Sequence, residues 1–159
     1  MPRERRNDAR YARYTAGEVV ASYRALAGRA WPGLRAIIEY ACFDGEPLVL
    51  EGVHLEPAVI RDWLAGDGAA CAGVVMPVFL VREDPADIAR ALRRGGHARD
   101  WVTTQTRDDA TYARIAAMVA LYSATVRAEA EAAGFPVFAM DGDLANRVAR
   151  VLASLSARA

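Results

Sequence analysis

The stretch "EPLVLEGVHLEP", residues 46–57, joins an apolar run to a carboxylate, a glycine and a histidine, and then to a proline. Its part "PLVLEGV", residues 47–53, is short and rich in strand-forming side chains, which predicts a strand buried on both faces of a parallel sheet. Pro57 then begins a helix, because proline fits the first helical position. Glu51 therefore lies at the carboxyl end of a predicted buried strand, where a charged side chain needs a physical reason.

The sequence on both sides of this stretch alternates predicted helices with two further predicted strands. The strand patterns are "VVMPVFLV", residues 74–81, and "GFPVFAM", residues 134–140. Helical patterns cover 15–29, 31–45, 56–66, 84–96, 110–133 and 143–156, and the polar stretch 98–109 predicts a loop. This alternation indicates one α/β domain over residues 1–159, with a small parallel sheet of about three strands flanked by helices.

Composition places the chain among ordinary globular proteins. Of its 159 residues, 53% are hydrophobic and 25% are charged. No apolar run approaches the roughly 18 residues of a membrane span, and the charged N-terminus is unlike a signal peptide. We therefore expect a cytoplasmic chain that does not bind a membrane.

Charge gives little reason to expect nucleic-acid binding. Twenty basic residues balance twenty acidic ones, so no overall field attracts a polyanion. The locally basic stretch "MPRERRNDARYARY", residues 1–14, is expected to be a solvated helix or a frayed terminus. A nucleic-acid-binding arm is the minority alternative for this stretch.

The cysteines and the basic residues limit the possible chemistry. Cys42 and Cys71 lie in apolar surroundings, so we expect two buried free thiols. With no CxxC or HExxH pattern and only two histidines, a zinc site is excluded. All twenty basic residues are arginine, so a mechanism that requires a lysine must obtain it from another polypeptide segment.

Glu51 occupies a position that suits a phosphate site. Ligands of parallel sheets bind beyond the carboxyl ends of the strands. A carboxylate there can hold Mg²⁺ directly or through water, and Gly52 leaves room for a phosphate or the metal shell. This is the position of the Walker B acid in nucleotide-binding proteins. The alternative is a structural Glu51 that caps the next helix or pairs with an arginine.

The stretch "PLVLEGVHLEP", residues 47–57, resembles the strand segment of P-loop small-molecule kinases, especially 2-phosphoglycerate kinase and its bacterial relatives. The order of the other elements is also similar, over about residues 15–155. The resemblance implies a partial P-loop-kinase-like fold with three layers. It also implies ATP-dependent phosphotransfer to a small-molecule acceptor, with ATP and Mg²⁺ as cofactors.

The resemblance assigns roles to the residues of this motif. Glu51 becomes the acid that coordinates the metal or a water molecule, and Gly52 lies beside the nucleotide. His54 lies near the pocket of the phosphoryl acceptor. From the residues alone, His54 is more often a hydrogen-bonded histidine at a strand end. Asp141 follows the third strand, where the adenine-side loop of the family lies, although an N-cap at Asp143 explains that stretch equally well.

Arg90, Arg93 and Arg94 stand where these kinases carry the arginines of their lid, and Arg82 is a weaker candidate of the same kind. Guanidinium groups suit phosphates because they stay charged and bind in a bidentate way. Arg90 shares a helical face with Arg93 or Arg94, so the two could converge on one anion. The alternative is a solvated helix face whose partners are acidic: Glu83, Asp84 and Asp87.

The chain departs from this family at its most specific motif. It contains no G-x-x-x-x-G-K-[ST] loop, whose amides and lysine hold the nucleotide phosphates. In the family, the P-loop strand lies centrally, between the strand of Glu51 and the strand that ends at Val81. We therefore expect an N-terminally truncated kinase domain that is inactive alone, with open strand edges that recruit a partner chain or a second copy. The alternative is a non-catalytic remnant that binds an anionic ligand or a protein partner.

Overall fold

A computed structural model describes residues 6–95 and 100–156. The helices are α1 (Arg6–Arg13), α2 (Ala16–Asp44), α3 (Pro57–Ala65), α4 (Pro85–Arg94), α5 (Trp101–Gln105), α6 (Asp109–Ala132) and α7 (Leu144–Ser156), and a 3-10 turn covers Ala69–Cys71. Two short strands, β1 (Phe79–Val81) and β2 (Val137–Ala139), pair in parallel. The described chain is thus rich in helix and carries a small parallel sheet.

The prediction of a strand over residues 47–53 is wrong. This segment is irregular, and Val49 is 94% exposed. The described sheet has two strands, not about three, so each strand has one edge without a strand beside it in the described part of the chain. A strand forms only where its amides and carbonyls find a neighbouring strand. No strand lies beside residues 47–53 in the described part of the chain.

The two helices predicted over 15–29 and 31–45 form one helix, α2, of 29 residues with Pro32 inside it. The predicted capping box is confirmed: Thr15 N donates to Glu18 Oε2 at 2.8 Å, and Glu18 N donates to Thr15 Oγ1 at 3.3 Å. Pro32 removes one helical hydrogen bond. The helix nevertheless continues, because Trp31 before the proline packs against Trp63 at a ring-centroid distance of 5.8 Å.

Four other predicted helices form close to their expected bounds, as α3, α4, α6 and α7. For α4 the local reasons are visible: Asp84 Oδ1 accepts a hydrogen bond from Ala86 N at 2.8 Å, and Pro85 follows it. The helix stops at Gly95, whose φ of +57° is left-handed. Gly96, the second residue of the predicted stop, lies outside the described residues. None of the described helices is long and apolar enough to cross a membrane.

The described residues divide into two compact units. The first unit consists of the described parts of 1–20, 80–125 and 138–159, and the second of 21–79 and 126–137. The core of the first unit is a cluster on α4 and α6. Its buried members are Ile88, Ala89 and Ala116, against which Leu92, Val119 and Ala120 pack.

The core of the second unit is built on Ile60, Phe79 and Ala130. The ring of Phe79 stacks on Phe135 at a centroid distance of 5.9 Å. Partly buried apolar side chains surround this cluster, namely Trp31, Leu55, Leu64, Val126, Phe135 and Val137. In the same unit Gly68 lies against the indole of Trp63, where an added Cβ would come within 2.1 Å of the ring. Space, not backbone conformation, therefore limits this position to glycine.

Two polar stretches of the first unit differ from the expectation. Residues 6–13 form the expected helix, α1, but it is packed as well as solvated: Asn7 is buried, and its Nδ2 donates to Thr106 Oγ1 at 3.0 Å. The expected loop over 98–109 is wrong at 101–105, which forms α5. The reason is a cap: Asp100 Oδ1 accepts a hydrogen bond from Val102 N at 2.8 Å.

Candidate functional site

The most unusual surface of the second unit is one stretch of chain, residues 40–53, which we call the apolar segment. It covers the end of α2 and most of the irregular loop that follows. Its exposed large side chains are Tyr40, Phe43, Leu48, Val49 and Val53, of which Phe43 is 90% exposed. Exposed apolar side chains are ordinary when scattered. Five within 14 consecutive residues are a concentration that is unusual for a surface facing solvent.

The predicted phosphate-site residues lie in this loop, but no sheet positions them. Glu51 is exposed and makes no hydrogen bond or ion pair with the residues that the structure describes. A Cβ added at Gly52 would meet no heavy atom within 4 Å, so the space beside it is open. His54 is half-buried, and its Nδ1 atom is buried without a hydrogen-bond partner in the described ranges. The roles of these residues therefore stay predictions.

Two of the four predicted phosphate-binding arginines share one carboxylate, that of Asp87. Arg82 donates to Asp87 Oδ2 through Nε at 2.8 Å and through Nη2 at 2.5 Å. Arg90 Nη2 reaches Asp87 Oδ1 at 3.0 Å. Gly142 N also donates to Asp87, at 3.3 Å. These bonds, first of all that of Arg82, hold the pKa of Asp87 below its usual value.

The other two predicted arginines lie apart from Asp87. Arg93 Nε pairs with Asp109 Oδ1 at 3.1 Å, and its guanidinium lies 5.6 Å from the centroid of the Tyr112 ring. Arg94 is exposed, and the structure gives it no partner among the described residues. The arginines thus do not converge on one point. Asp87, one of the acidic partners named as the alternative, pairs with Arg82 and Arg90, whereas Arg93 pairs with Asp109, which the sequence did not indicate.

Asp141 joins the ends of the two strands. Its Oδ1 atom accepts hydrogen bonds from Glu83 N at 3.1 Å and from Asp84 N at 3.0 Å. Arg147 Nε donates to the carbonyl of Asp141 at 3.1 Å. Asp143 caps α7, because its Oδ1 accepts from Ala145 N at 3.0 Å. The carboxylate of Asp141 therefore has a structural role, and its place beside a nucleotide stays a prediction.

The residues of this chain, taken alone, do not fit a Mg²⁺–ATP complex. Within 6–95 and 100–156, no three His, Cys, Asp or Glu side chains lie close enough to share a metal ion. Glu51 offers one carboxylate, whereas such sites combine acidic and hydroxyl ligands with the amides and lysine that hold the phosphates. The chain has no lysine, and Asp87 engages Arg82 and Arg90 internally.

An ionic cluster in the second unit was not predicted from the sequence. Arg24 lies between two carboxylates: its Nη2 reaches Glu129 Oε1 at 2.6 Å and its Nε reaches Glu56 Oε2 at 3.5 Å. Glu56 is only 3% exposed. The sequence signal that could have indicated a buried Glu56 was its position directly before Pro57, at the start of a helix whose apolar side is buried. The cluster holds the start of α3 against α2.

The second unit also has an open groove of about 370 Å³. None of the predicted site residues lines it; its walls are Trp31, Arg35, Val59, Asp62, Trp63, Gly66 and Asp67. Arg35 pairs with Asp67 at 2.9 Å and with Glu39 at 2.7 Å. The charged groups of this groove are thus largely occupied with one another.

Comparisons of the chain with protein-family models, with curated proteins and with solved structures found no match. The resemblance to small-molecule kinases therefore stays a prediction from Glu51, Gly52, Val53 and His54 and from the predicted order of the elements.

Proposed function

We propose that the chain binds an extended polypeptide segment along residues 47–53, and that this partner completes a phosphotransferase site of the small-metabolite kinase type. The observation that carries the proposal is the exposure of a strand-forming sequence. Val49 is 94% exposed, although "PLVLEGV" has the composition of a buried strand. A partner strand would cover its side chains and pair its backbone.

Backbone accounting favours an extended partner. The backbone hydrogen bonds of the loop lie at its two ends: Glu46 N donates to Ala41 O, Leu55 N donates to Gly52 O, and Glu56 O accepts from Ile60 N. The amides of 48–51 and the carbonyls of 47–51 take part in none of these bonds, so they are available for the ladder that an added strand forms. The buried Nδ1 of His54, without a partner in the described ranges, is a further polar group that a docked segment could satisfy.

Charge favours a partner that is basic as well as apolar. The charged residues within 43–53 are Asp44, Glu46 and Glu51, all acidic. A strand followed by a glycine-rich loop with a lysine matches both properties, and it brings the amides and the lysine that this chain lacks. In the completed site Glu51 takes the place beside the nucleotide and His54 lies on the acceptor side, as the resemblance implies. Because the present residues alone do not fit Mg²⁺–ATP, we derive no catalytic step.

A non-catalytic binding domain is the second candidate function. It is favoured by the pairing of Arg82 and Arg90 with Asp87, which occupies two of the arginines that phosphotransfer requires. In this second candidate, residues 47–53 also bind a protein partner, but no phosphotransfer follows. The two candidates thus share the docking step and differ in the chemistry after it.

The docking step is tested with a synthetic peptide that carries the apolar strand and G-x-x-x-x-G-K-T loop of a small-metabolite kinase. We expect the peptide to slow hydrogen exchange of the amides of residues 48–53. Val49→Asp should weaken binding by about tenfold or more, because a buried valine contributes about 1.5 kcal/mol or more. The matched control is Leu152→Asp in α7, a side chain 58% exposed that should leave binding unchanged.

Exchange of residues 48–53 that stays fast at saturating peptide would contradict the proposal. If docking occurs, ADP release in the presence of ATP, Mg²⁺ and a panel of small hydroxy acids separates the two candidates. Phosphotransfer predicts release that Glu51→Gln abolishes without loss of peptide binding. The non-catalytic candidate predicts binding with no release. A second copy as the occupant would appear as dimerisation that Val49→Asp removes.

A further inference from the structure

One face of α2 packs along α3 and the turn that follows it, within the second unit. Trp31, Arg35 and Glu39 succeed one another at intervals of four residues and therefore share this face. Trp31 meets Trp63 edge to face, Arg35 Nη1 pairs with Asp67 Oδ2 at 2.9 Å, and Glu39 Oε1 accepts from Trp63 Nε1 at 3.2 Å. These contacts hold this face of α2 against α3 and the turn after it.

Two cysteine thiols lie farther along the same face of α2 and the same turn. Cys42 lies three residues after Glu39 on the same face of α2, and Cys71 lies four residues after Asp67 in the 3-10 turn. The side chains of Cys42 and Cys71 are neighbours. Both are free thiols; Cys71 is buried and Cys42 is partly exposed. One thiol of the pair is thus reached by solvent, and the neighbouring thiol is buried.

We propose that Cys42 and Cys71 are a redox modification site at which a reversible disulfide fastens the end of α2 to the 3-10 turn. The inference goes beyond the proposed function and does not depend on it. The oxidant is a small disulfide such as oxidised glutathione. The Cys42 thiolate attacks one of its sulfurs and releases one glutathione thiolate; the Cys71 thiolate then attacks Cys42 Sγ and releases the second. In total, two protein thiols and one oxidised glutathione give one protein disulfide and two reduced glutathiones.

The surroundings set the rate of the first step. Burial, and then the neighbouring Cys71 thiol, raise the pKa of Cys42 to about 11. Only the thiolate attacks, so below that pKa the rate should rise about tenfold for each pH unit. The site therefore reacts slowly at neutral pH, and the disulfide forms only during long exposure to the oxidant. Cys71 is shielded from solvent, so it acts as the resolving thiol.

The test treats the folded chain with oxidised glutathione at two pH values, about 8 and about 9, blocks the remaining thiols and digests with trypsin. Because Arg61 separates the two cysteines, a disulfide appears as a linked pair of peptides, 36–61 and 62–82. We expect this pair in monomeric protein, with no persistent glutathione adduct, and a rate about tenfold higher at the upper pH. Linked peptides only between two copies, or a wild-type chain that retains glutathione on Cys42, would overturn the proposal.

Matched variants identify the resolving thiol. Cys71→Ala, which keeps a small apolar side chain in a buried place, should trap glutathione on Cys42, and circular dichroism checks that it folds. Cys42→Ser should remain largely unmodified, because Cys71 is shielded. If Cys71→Ala does not fold, the melting temperature of the wild-type chain before and after oxidation remains as a readout. A disulfide should raise it, and reduction should restore it; an unchanged melting temperature with no linked peptides contradicts the inference.

Discussion

Two apolar segments of similar composition behave in opposite ways. "VFLV", residues 78–81, contains β1, whose Phe79 is 7% exposed and stacks on Phe135. "PLVL", residues 47–50, remains irregular, with Val49 almost fully exposed. The difference lies in what each segment finds beside it. Phe79 N donates to Pro136 O at 2.9 Å, whereas no strand lies beside residues 47–50 in the described chain.

The charged residues that follow the two segments differ in the same way. Arg82, directly after β1, is fixed by two hydrogen bonds to Asp87. Glu51, directly after residue 50, has no such partner among the residues described. A paired strand thus fixes the side chain that follows it, and an unpaired one leaves it in solvent. For this chain the local composition decides that a segment can be a strand, and the neighbour decides whether it is one.

The largest expected effect comes from truncating one side chain in each segment. Phe79→Ala should lower the free energy of unfolding by about 3–5 kcal/mol, because it removes a buried ring and leaves a cavity. Val49→Ala should change it by less than about 0.5 kcal/mol, because the side chain is already in water. Urea denaturation measures both. A loss of more than about 1 kcal/mol for Val49→Ala would mean that residues 47–50 are packed, and the contrast would fail.

A smaller difference in stability is expected between variants of two glutamates, Glu51 and Glu56, which lie five residues apart. Glu56→Gln should lower the free energy of unfolding by about 1–3 kcal/mol, because it removes the charge that Arg24 meets in a buried place. Glu51→Gln should have no effect beyond about 0.5 kcal/mol. Both variants conserve shape, so each is the control for the other. Equal losses would show that Glu51 also has a buried partner in the folded chain.

The smallest effect concerns the dependence of stability on pH. Hydrogen bonds, first of all from Arg82, hold the pKa of Asp87 below its usual value in the folded chain. Asp87 therefore contributes stability above about pH 4, which is lost as the pH falls through the folded pKa. Asp87→Asn should flatten the decline of the unfolding free energy in acid. Asp109→Asn, at a side chain 87% exposed, is the control that should retain it; equal slopes for wild type and Asp87→Asn would contradict the assignment.

Local signals predicted much of the helical structure. Thr15 and Glu18 formed the expected capping box, and Asp84 with Pro85 began α4 as its sequence indicates. Such caps require only a few consecutive residues, so the sequence contains all that determines them. The two real strands were also located, but each is three residues long and lies inside a longer predicted run. Their limits depend on the neighbouring strand and not on composition.

The errors occurred where distant contacts overrule local preference. Pro32 predicted a helix boundary, yet contacts of Trp31 and Arg35 with the α3 region hold the helix on both sides of it. Residues 47–53 predicted a strand, yet no neighbour is present. For the candidate site, Asp87 was named in advance as an acidic partner, but not that it would pair with two arginines, and Asp109, the partner of Arg93, was not named. Which arginine reaches which acid depends on tertiary geometry.

The contact between Trp63 and Gly68 has a consequence for evolution. Within 2.1 Å of the indole there is no room for any side chain at position 68. A substitution of Gly68 can therefore survive only where position 63 already has a smaller side chain. Relatives of this chain that have a side chain at position 68 should therefore lack the tryptophan at position 63. That paired signature would allow a distant homologue to be recognised even where overall similarity has disappeared.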